Sequence, residues 1–356
     1  MKLEELGSFE VAHRHLAWPW IAIDATNARF AYATSESSVA SRVLQGGRLV
    51  EGPTFTLPAD LGLPSAKPDP EGKLPQQGLH GFAVDAAGAL LAAIGNVSAS
   101  AGASVVVTLD AKGEVKRSSL DALEGLQGGA ALTGGSFTAR AVAFDRSGTR
   151  LWISAENDKE TALILLDARS HAVTGVVRSA SFPPPASHEL YVHPQDDAVL
   201  LLAACGQDGT FARVAGWSDG PPVAIPTALD AGGISAGFVG FSADHSHVHL
   251  VEADELRTHA WPGLEELSSV ELADDFVSSY AGAILGDRIF IDGEDAETGE
   301  DAVMAFDRTA LRGALLAEPV PTGMWAGRLA ATTVVTVEAK GEPSRGRVVR
   351  LPAPTN

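Results

Sequence analysis

The chain has 356 residues, of which 45% are hydrophobic and 20% are charged, proportions typical of a folded globular protein rather than a disordered one. Its formal charge of −19 opposes binding to nucleic acid phosphates and to anionic membrane surfaces, both of which select for basic patches. The N-terminus leads into no long apolar segment and Cys205 is the single cysteine, so no secretory signal, membrane span or disulfide is predicted and a cytoplasmic location is expected.

A short pattern of strand, turn and strand recurs along the chain. In its clearest copy, Arg140 to Ser154, alternating apolar residues flank an Asp-x-x-Gly turn that starts at Asp145, which is typical of a β-hairpin. The residue that starts the turn, here called the anchor, is in successive copies Asp24, Asp85, Asp145, His193, Ser242, Leu285 and Ala330. The intervals between anchors are 61, 60, 48, 49, 43 and 45 residues. Seven such units, each with room for four strands, predict a β-propeller.

The predicted fold is therefore all-β, a single domain over residues 1–356 with seven four-stranded antiparallel blades. After Leu351 only five residues remain, too few for the fourth strand of the last blade. The segment Gly7 to Ala12 is predicted to supply that strand and to close the ring, with Phe9 to Ala12 pairing near Val348 to Leu351, because closure covers an open sheet edge. The predicted blades cover residues 13–58, 79–120, 137–180, 187–228, 234–273, 277–318 and 323–353, the last together with 7–12.

The unit from Arg140 to Val177 resembles the YVTN and WD40-like propeller repeats common in bacteria. The resemblance extends over most of the chain, but the Gly-His and Trp-Asp pairs of strict WD40 repeats are missing. It implies a bacterial seven-bladed propeller. It implies no activity, because propellers serve as scaffolds, lactonases, dehydrogenases and lyases alike.

No motif commits the chain to a reaction, so neither a catalytic residue nor a cofactor is predicted. Gly216 to Gly220 matches Gly-x-Ser-x-Gly, but a nucleophile elbow requires a strand-to-helix turn and this segment falls between two strands. His245, His247 and His249 alternate as residues on one strand face do. Since a zinc site needs three or four convergent ligands, polar positions between blades or at the rim are the favoured interpretation, and no metal site is predicted.

The position five residues before each anchor carries an unusual set of polar and aromatic side chains. This is where the chain enters the innermost strand of each blade, so these residues are expected to crowd the mouth of the central channel. The favoured interpretation is that they close the channel by bonding to each other or to water. Two alternatives stay open: the residues form a ligand-binding site, or His80 and His188 hold a metal. The ring consists of Pro19, His80, Arg140, His188, Gly237, Tyr280 and Trp325, with His13, His15, Trp18 and Trp20 just upstream.

Long and acidic connections are expected on the face where the first strands begin, here called the entry face. The two longest blade-to-blade connections run from Leu61 to Gly78 and from Asp121 to Ser136, and loops on a rigid scaffold commonly bind partners. The hairpin loop 292–302 adds six carboxylates to the same face, without the residue order of an EF-hand calcium loop. Taken by itself, this loop is interpreted first as a solvated segment that keeps the surface soluble, and partner binding is the alternative.

The leading functional prediction is a non-catalytic protein interaction scaffold, a monomeric propeller within a complex. Its partner is another protein with a basic surface, contacted through Glu294, Asp295, Glu297 and Glu300. The alternative is a small-ligand-binding or metal-dependent propeller enzyme, lactonase-like or dehydrogenase-like in architecture, that uses His80, Arg140, His188, Tyr280 and Trp325 at the channel mouth.

Overall fold

The structure is a computed structural model that describes residues 3–12, 21–63, 77–98, 103–123, 136–183, 187–218, 220–232, 235–252, 254–285, 288–307, 313–315, 324–330, 332–338 and 344–351. Seven separate antiparallel sheets follow one another along this part of the chain. The predicted all-β, seven-bladed propeller with four-stranded blades is confirmed.

Each blade is a meander whose strands lie in sheet order as they occur in sequence. The exceptions are blade 7, which β1 completes, and blade 4, where β17 and β18 both pair with β16. The strands are β1 (Glu4–Val11); in blade 1 β2 (Ile21–Asp24), β3 (Arg29–Ser35), β4 (Ser38–Gln45) and β5 (Arg48–Thr56); in blade 2 β6 (Gly78–Val84), β7 (Leu90–Asn96), β8 (Ser104–Asp110) and β9 (Val115–Ser119); in blade 3 β10 (Thr138–Phe144), β11 (Arg150–Glu156), β12 (Glu160–Asp167) and β13 (Val173–Ala180); in blade 4 β14 (Ser187–Val192), β15 (Ala198–Ala204), β16 (Gly209–Gly216), β17 (Val223–Ile225) and β18 (Asp230–Gly232); in blade 5 β19 (Ala236–Phe241), β20 (His247–Glu252), β21 (Glu255–Ala260) and β22 (Glu266–Glu271); in blade 6 β23 (Phe276–Leu285), β24 (Arg288–Asp295), β25 (Asp301–Asp307) and β26 (Gly313–Leu315); and in blade 7 β27 (Met324–Ala330), β28 (Thr333–Glu338) and β29 (Ser344–Arg350).

Three short 3₁₀ turns, Ala59–Leu61, Leu120–Ala122 and Gly206–Asp208, account for the helical residues of the described ranges. None of these segments has the length and hydropathy of a membrane-crossing helix.

The anchors of blades 2 to 5 end the first strand by bonding to the backbone of the hairpin turn. Asp145 Oδ1 accepts the amide hydrogens of Thr149 (3.0 Å) and Arg150 (2.9 Å), and Asp85 does the same for Ala89 and Leu90. Ser242 Oγ accepts the amide hydrogen of His247 in blade 5, and His193 Nδ1 accepts that of Asp196 within the turn of blade 4. The recurring turn is therefore set by local hydrogen bonding, because a short polar side chain satisfies amides that the tight turn leaves without a strand partner.

The hydrophobic core is divided into one cluster per blade interface. Between blades 2 and 3, for example, Ile94 and Val106 pack with Ile153 and Ile164, and the other clusters join the remaining pairs of neighbouring blades in the same way. The inner strands of each blade are thus buried on both faces, and for that reason their sequences are continuous apolar runs. In β7, for example, all seven residues are buried. The outer fourth strands, such as β22, are largely exposed.

The ring closes through β1, which pairs antiparallel with β29. The predicted closure is confirmed, but its predicted register is wrong: Phe9 lies opposite Gly346 and Val11 opposite Ser344, and the strand begins at Glu4. The reason is the charged N-terminal end, which takes part in the pairing through ion pairs from Arg350 to Glu4 (2.7 Å) and from Arg345 to Glu5 (3.4 Å). Glu4 and Arg350 lie directly opposite each other, and such oppositely charged cross-strand pairs are favourable on the exposed face of an edge strand.

Candidate functional site

Two members of the predicted channel-mouth ring are buried between blades. His188 is 8% exposed and Trp325 is 2% exposed. Each stands at the start of its first strand and bonds to the second strand of the preceding blade, at Ser154 and Asp292 respectively. These two contacts form the centres of two separate polar clusters, one between blades 3 and 4 and one between blades 6 and 7.

The first cluster is built around Glu156 at the end of β11. Its carboxylate accepts a hydrogen bond from Arg140 Nε (2.7 Å) and lies 3.2 Å from His188 Nε2, without the alignment of a hydrogen bond. His188 Nδ1 shares a hydrogen bond with Ser154 Oγ. Burial alone would raise the pKa of Glu156, but the close approach of the His188 imidazole, together with the charge and hydrogen bond of Arg140, outweighs it and lowers that pKa. Glu156 therefore stays ionised and holds two predicted ring residues together.

Ser154, His188 and Glu156 are also the residue types of a hydrolase triad. Ser154, however, has no exposed surface, so its hydroxyl cannot reach a substrate carbonyl. The neighbouring Cys205 is also buried, and burial, followed by the charges of Glu156 and Asp208, raises the pKa of its thiol to about 11. A thiol with that pKa is a poor nucleophile near neutrality.

The second cluster is built around Asp292 on β24. Its Oδ2 accepts hydrogen bonds from the Trp325 backbone amide (3.2 Å) and from Ser279 Oγ (3.0 Å). Burial raises the pKa of Asp292 to about 7, although these hydrogen bonds act in the opposite direction, and the nearby Asp301 raises it further. The carboxyl group therefore changes its charge close to neutral pH.

The remaining ring residues occupy different surroundings. His80 is half-buried and its Nδ1 donates to the carbonyl of Ala139 (2.9 Å) in blade 3. Tyr280 is 41% exposed in a left-handed conformation (φ 59°), and its carbonyl packs so closely on Gly237 that a Cβ atom there would overlap it. Pro19, His13, His15, Trp18 and Trp20 lie outside the described residues.

The structure thus joins Arg140 and His188 through Glu156, and it places Trp325 at another interface. Glu156 and Ser154 were not anticipated from the sequence, and Asp292 was expected only as one carboxylate of the acidic loop 292–302. Ser154 and Asp292 are register-equivalent, lying opposite Ala141 and Ala281 beside a bulge in the first strand. A sequence reading anchored on the first strand misses them, because hairpins of different length put them at different distances from the anchor.

The acidic segment of blade 6 is mostly strand. β24 extends to Asp295 and β25 begins at Asp301, so the turn is 296–300 rather than the predicted loop 292–302. Asp295 organises the turn by accepting the amides of Glu297 (3.0 Å) and Thr298 (2.7 Å). Glu294, Glu297, Glu300 and Asp301 are exposed, whereas Asp292 is buried. Of the long predicted connections, residues 64–76 and 124–135 lie outside the described ranges.

A cleft of about 630 Å³ lies on blade 5, away from these clusters. It is lined by His247 and His249 together with hydroxyl groups of Ser242, Thr258 and Ser268. His249 is buried and its Nδ1 bonds to Thr258 Oγ1 (3.0 Å), which makes it a cross-strand link within the blade. In the described part of the chain, no three His, Cys, Asp or Glu side chains are grouped so as to hold a metal ion.

Comparison with solved structures supports the fold. The β-propeller domain of Cps50 (Swd1) from Myceliophteria thermophila matches with a TM-score of 0.57 at 8% identity, over 99% of this chain and 100% of that one. A chain from a study of two prolyl endopeptidases matches with a TM-score of 0.54 at 15% identity, over 89% of this chain and 44% of that one. The dihydro-heme d1 dehydrogenase NirN matches at 0.46 and 14% identity, over 89% and 59%.

The chain therefore spans less than half of the endopeptidase chain and about three fifths of the dehydrogenase chain. No family model and no curated protein matches the sequence. At such identities the likeness shows the fold alone.

Proposed function

We propose that this chain is a non-catalytic interaction scaffold whose entry face docks a partner protein with a basic surface. The observation that carries the proposal is the end of blade 6 at the entry face, here called the blade 6 tip (residues 276–280 and 292–301). Glu294, Glu297 and Glu300 are exposed there, and within the described residues none of them forms an ion pair. Some exposed carboxylates elsewhere do pair with arginine, as Asp60 does with Arg117 (2.8 Å).

The charge of the surrounding chain strengthens this proposal. Residues 260–307 contain thirteen acidic residues and a single basic one, Arg288, which begins β24 at the end away from the tip. A surface of one sign attracts a partner of the opposite sign and mainly increases the association rate. Since charges are screened beyond about 8 Å at physiological ionic strength, docking should weaken as salt is raised.

The test compares the wild-type chain with E294Q/E297Q/E300Q in affinity purification from its own organism, followed by association kinetics with the purified partner. Asp295 is left intact because it fixes the turn. The control is E114Q/E265Q, which neutralises exposed glutamates in turns at the opposite face. We expect a stoichiometric partner to associate more slowly with the triple variant and with rising salt, while the control behaves like the wild type. A partner whose association ignores both changes would refute the proposal.

A second candidate function is small-ligand binding at the predicted channel mouth. The observation that favours it is Arg140, whose side chain is 38% exposed while its Nε is fixed by Glu156; an oriented guanidinium suits a carboxylate or phosphate. A thermal-shift screen of such anions against wild type and R140Q tests it. Stabilisation of the wild type alone would support the site, and equal shifts would exclude it. H188A is unsuitable as a probe, because His188 is buried between blades and its removal would destabilise the fold.

A further inference from the structure

The central channel is open between the first strands of the blades. On these strands the residues two and four positions before each anchor fall on one face, because alternate side chains of a strand point the same way. Of the thirteen described residues at these positions, Ala283 alone is fully buried, although all of them lie inside the ring of blades. Water therefore reaches this face from the channel. Most of its residues are small: Ala22, Gly81, Ala83, Ala141, Ala143, Gly240, Ala281, Ala283 and Ala326.

Four larger side chains interrupt this lining. Glu189 and Tyr191 come from blade 4, Phe238 comes from blade 5 and Arg328 comes from blade 7. The rings of Tyr191 and Phe238 are stacked with their centroids 3.8 Å apart, and the Tyr191 hydroxyl donates a hydrogen bond to Glu189 Oε2. One side of the channel therefore presents an aromatic surface beside an exposed carboxylate.

Arg328 lies between the first strands of blades 6 and 7. Its Nη1 donates to the carbonyl of Ile284 (3.1 Å), while its Nε is buried without a hydrogen-bond partner. Burial lowers the pKa of its guanidinium, yet within the described ranges Arg328 forms no ion pair. By contrast, the partly buried Arg257 contacts three glutamates. With 45 acidic residues against 26 basic ones, the chain has carboxylates in excess, so their absence at Arg328 leaves a cation open to an external anion.

Glu189 and Arg328 face the same channel from different walls. Their blades are three places apart in a ring of seven, which puts the two strands nearly opposite each other. Glu189 stands four residues before its anchor and Arg328 two, an offset of about 7 Å along the strand. Neither of them is in an ion pair in the part of the chain that the structure describes. The channel thus presents one anionic and one cationic group with space between them.

We propose that the central channel binds a small zwitterion of dipeptide size. Arg328 receives the carboxylate, which a guanidinium binds through paired hydrogen bonds, and Glu189 receives the ammonium group. Tyr191 and Phe238 contact an apolar side chain, as aromatic residues do in small-molecule pockets. An extended dipeptide is about 7 Å long, which matches the offset between the two charges. Arg328 lies about 10 Å further along its strand than Arg140, so the site differs from the channel mouth, and it does not depend on docking at the blade 6 tip.

Isothermal titration of the full chain with L-phenylalanyl-L-alanine and two analogues tests the site. The N-acetyl analogue lacks the ammonium group, and the C-terminal amide lacks the carboxylate. We expect each analogue to bind about tenfold more weakly than the free dipeptide, because each loses a hydrogen bond between charged groups. L-Phenylalanine, which is too short to reach both charges, should also bind more weakly.

Two substitutions separate the two ends of the ligand. R328Q should abolish the preference for the free carboxylate and retain the preference for the ammonium group, and R328K, which keeps the charge, should restore part of the lost preference. E189Q should do the reverse, since a glutamine oxygen can still accept the Tyr191 hydroxyl. R169Q is the matched control: Arg169 is exposed in the turn after β12, and its replacement should preserve both preferences.

Several results would overturn the proposal. Equal binding of the dipeptide and its two analogues would do so, as would no binding of the dipeptide at millimolar concentration. R328Q and E189Q proteins that keep both preferences would also contradict it. If R140Q rather than R328Q removes the carboxylate preference, the anion binds at the channel mouth and the assignment to Arg328 is wrong. Thermal unfolding of each variant checks the fold, and R328K, E189Q and the analogues decide the matter should R328Q fail to fold.

Discussion

Replacing Asp292 by asparagine should change the stability of the protein by an amount that depends on pH. The difference in the free energy of unfolding between D292N and wild type should favour the variant more at pH 8 than at pH 5. Asp292 is buried, with a pKa raised to about 7. The folded state holds the proton of Asp292 more tightly than the unfolded state, in which the pKa of Asp is about 3.9. The protonated carboxyl group therefore makes its full contribution to the free energy of unfolding below about pH 4. This contribution is lost as the pH rises toward 7.

The linkage relation gives the size of the effect. Between pH 5 and pH 8 the two pKa values imply that the wild-type free energy of unfolding falls by about 2.5 kcal/mol because of this one group. The asparagine variant does not titrate, and its amide oxygen can still accept hydrogen bonds from Trp325 and Ser279. The difference in stability between D292N and wild type should therefore shift by about 2.5 kcal/mol in favour of the variant over this range.

Urea denaturation at several pH values between 5 and 8 measures this difference, since the other titrating groups are common to both proteins. D295N is the matched control. Hydrogen bonds from the backbone and side chain of Thr298 lower the pKa of the partly exposed Asp295, so Asp295 remains ionised throughout this range. The difference in stability between D295N and wild type should therefore stay constant. A D292N difference that is also independent of pH would refute the assignment of Asp292 as a buried acid that titrates near neutrality.

Three further predictions concern the fold that supports the entry face. Deleting residues 1–12 removes the buried side chains of Phe9 and Val11, which should lower the free energy of unfolding by about 4 kcal/mol. The deletion should also leave the edge of β29 open to aggregation. An unchanged denaturation midpoint would contradict closure by β1. Burial lowers the pKa of His171 to about 4, so the stability of the protein should fall as the pH drops from about 6.5 to 4. In acid denaturation curves, H171N should reduce that fall; asparagine tolerates the positive φ of residue 171. G237A should destabilise by about 3 kcal/mol or more because the new methyl group would overlap Tyr280, whereas G220A, with open space around it, should leave the thermal midpoint unchanged.

The fold could be predicted because its repeat depends on local chemistry. Asp85 and Asp145 cap their own hairpin turns, and a side chain that bonds within five residues of itself leaves a recognisable pattern in sequence. The apolar runs of the inner strands are equally direct, because a sheet buried on both faces needs no polar alternation.

The candidate site was less accessible to sequence reasoning, since it depends on contacts between blades. The offset of five residues from the anchor singled out His188 and Trp325, but it did not reveal that both are buried in contact with the second strand of the preceding blade. Their partners, Ser154 and Asp292, come from second strands whose distance from the anchor varies with the hairpin. At the blade 6 tip, sequence grouped Asp292 with Glu294, although Asp292 is buried against blade 7 whereas Glu294, two residues further along the same strand face, is exposed.

The polar contacts at the entry ends of the first strands have a consequence for docking. Two apolar sheets can pack at several offsets with similar energy, whereas the hydrogen bonds from the amides of Ala139 to Ser104 (3.1 Å), Ala236 to Thr210 (2.9 Å) and Trp325 to Asp292 (3.2 Å) form at one offset only. A shifted blade would leave a buried group without a partner, at a cost of about 1–3 kcal/mol. The row of contacts therefore favours one mutual arrangement of the blades, and with it one spacing of the entry-face segments that a partner would contact together.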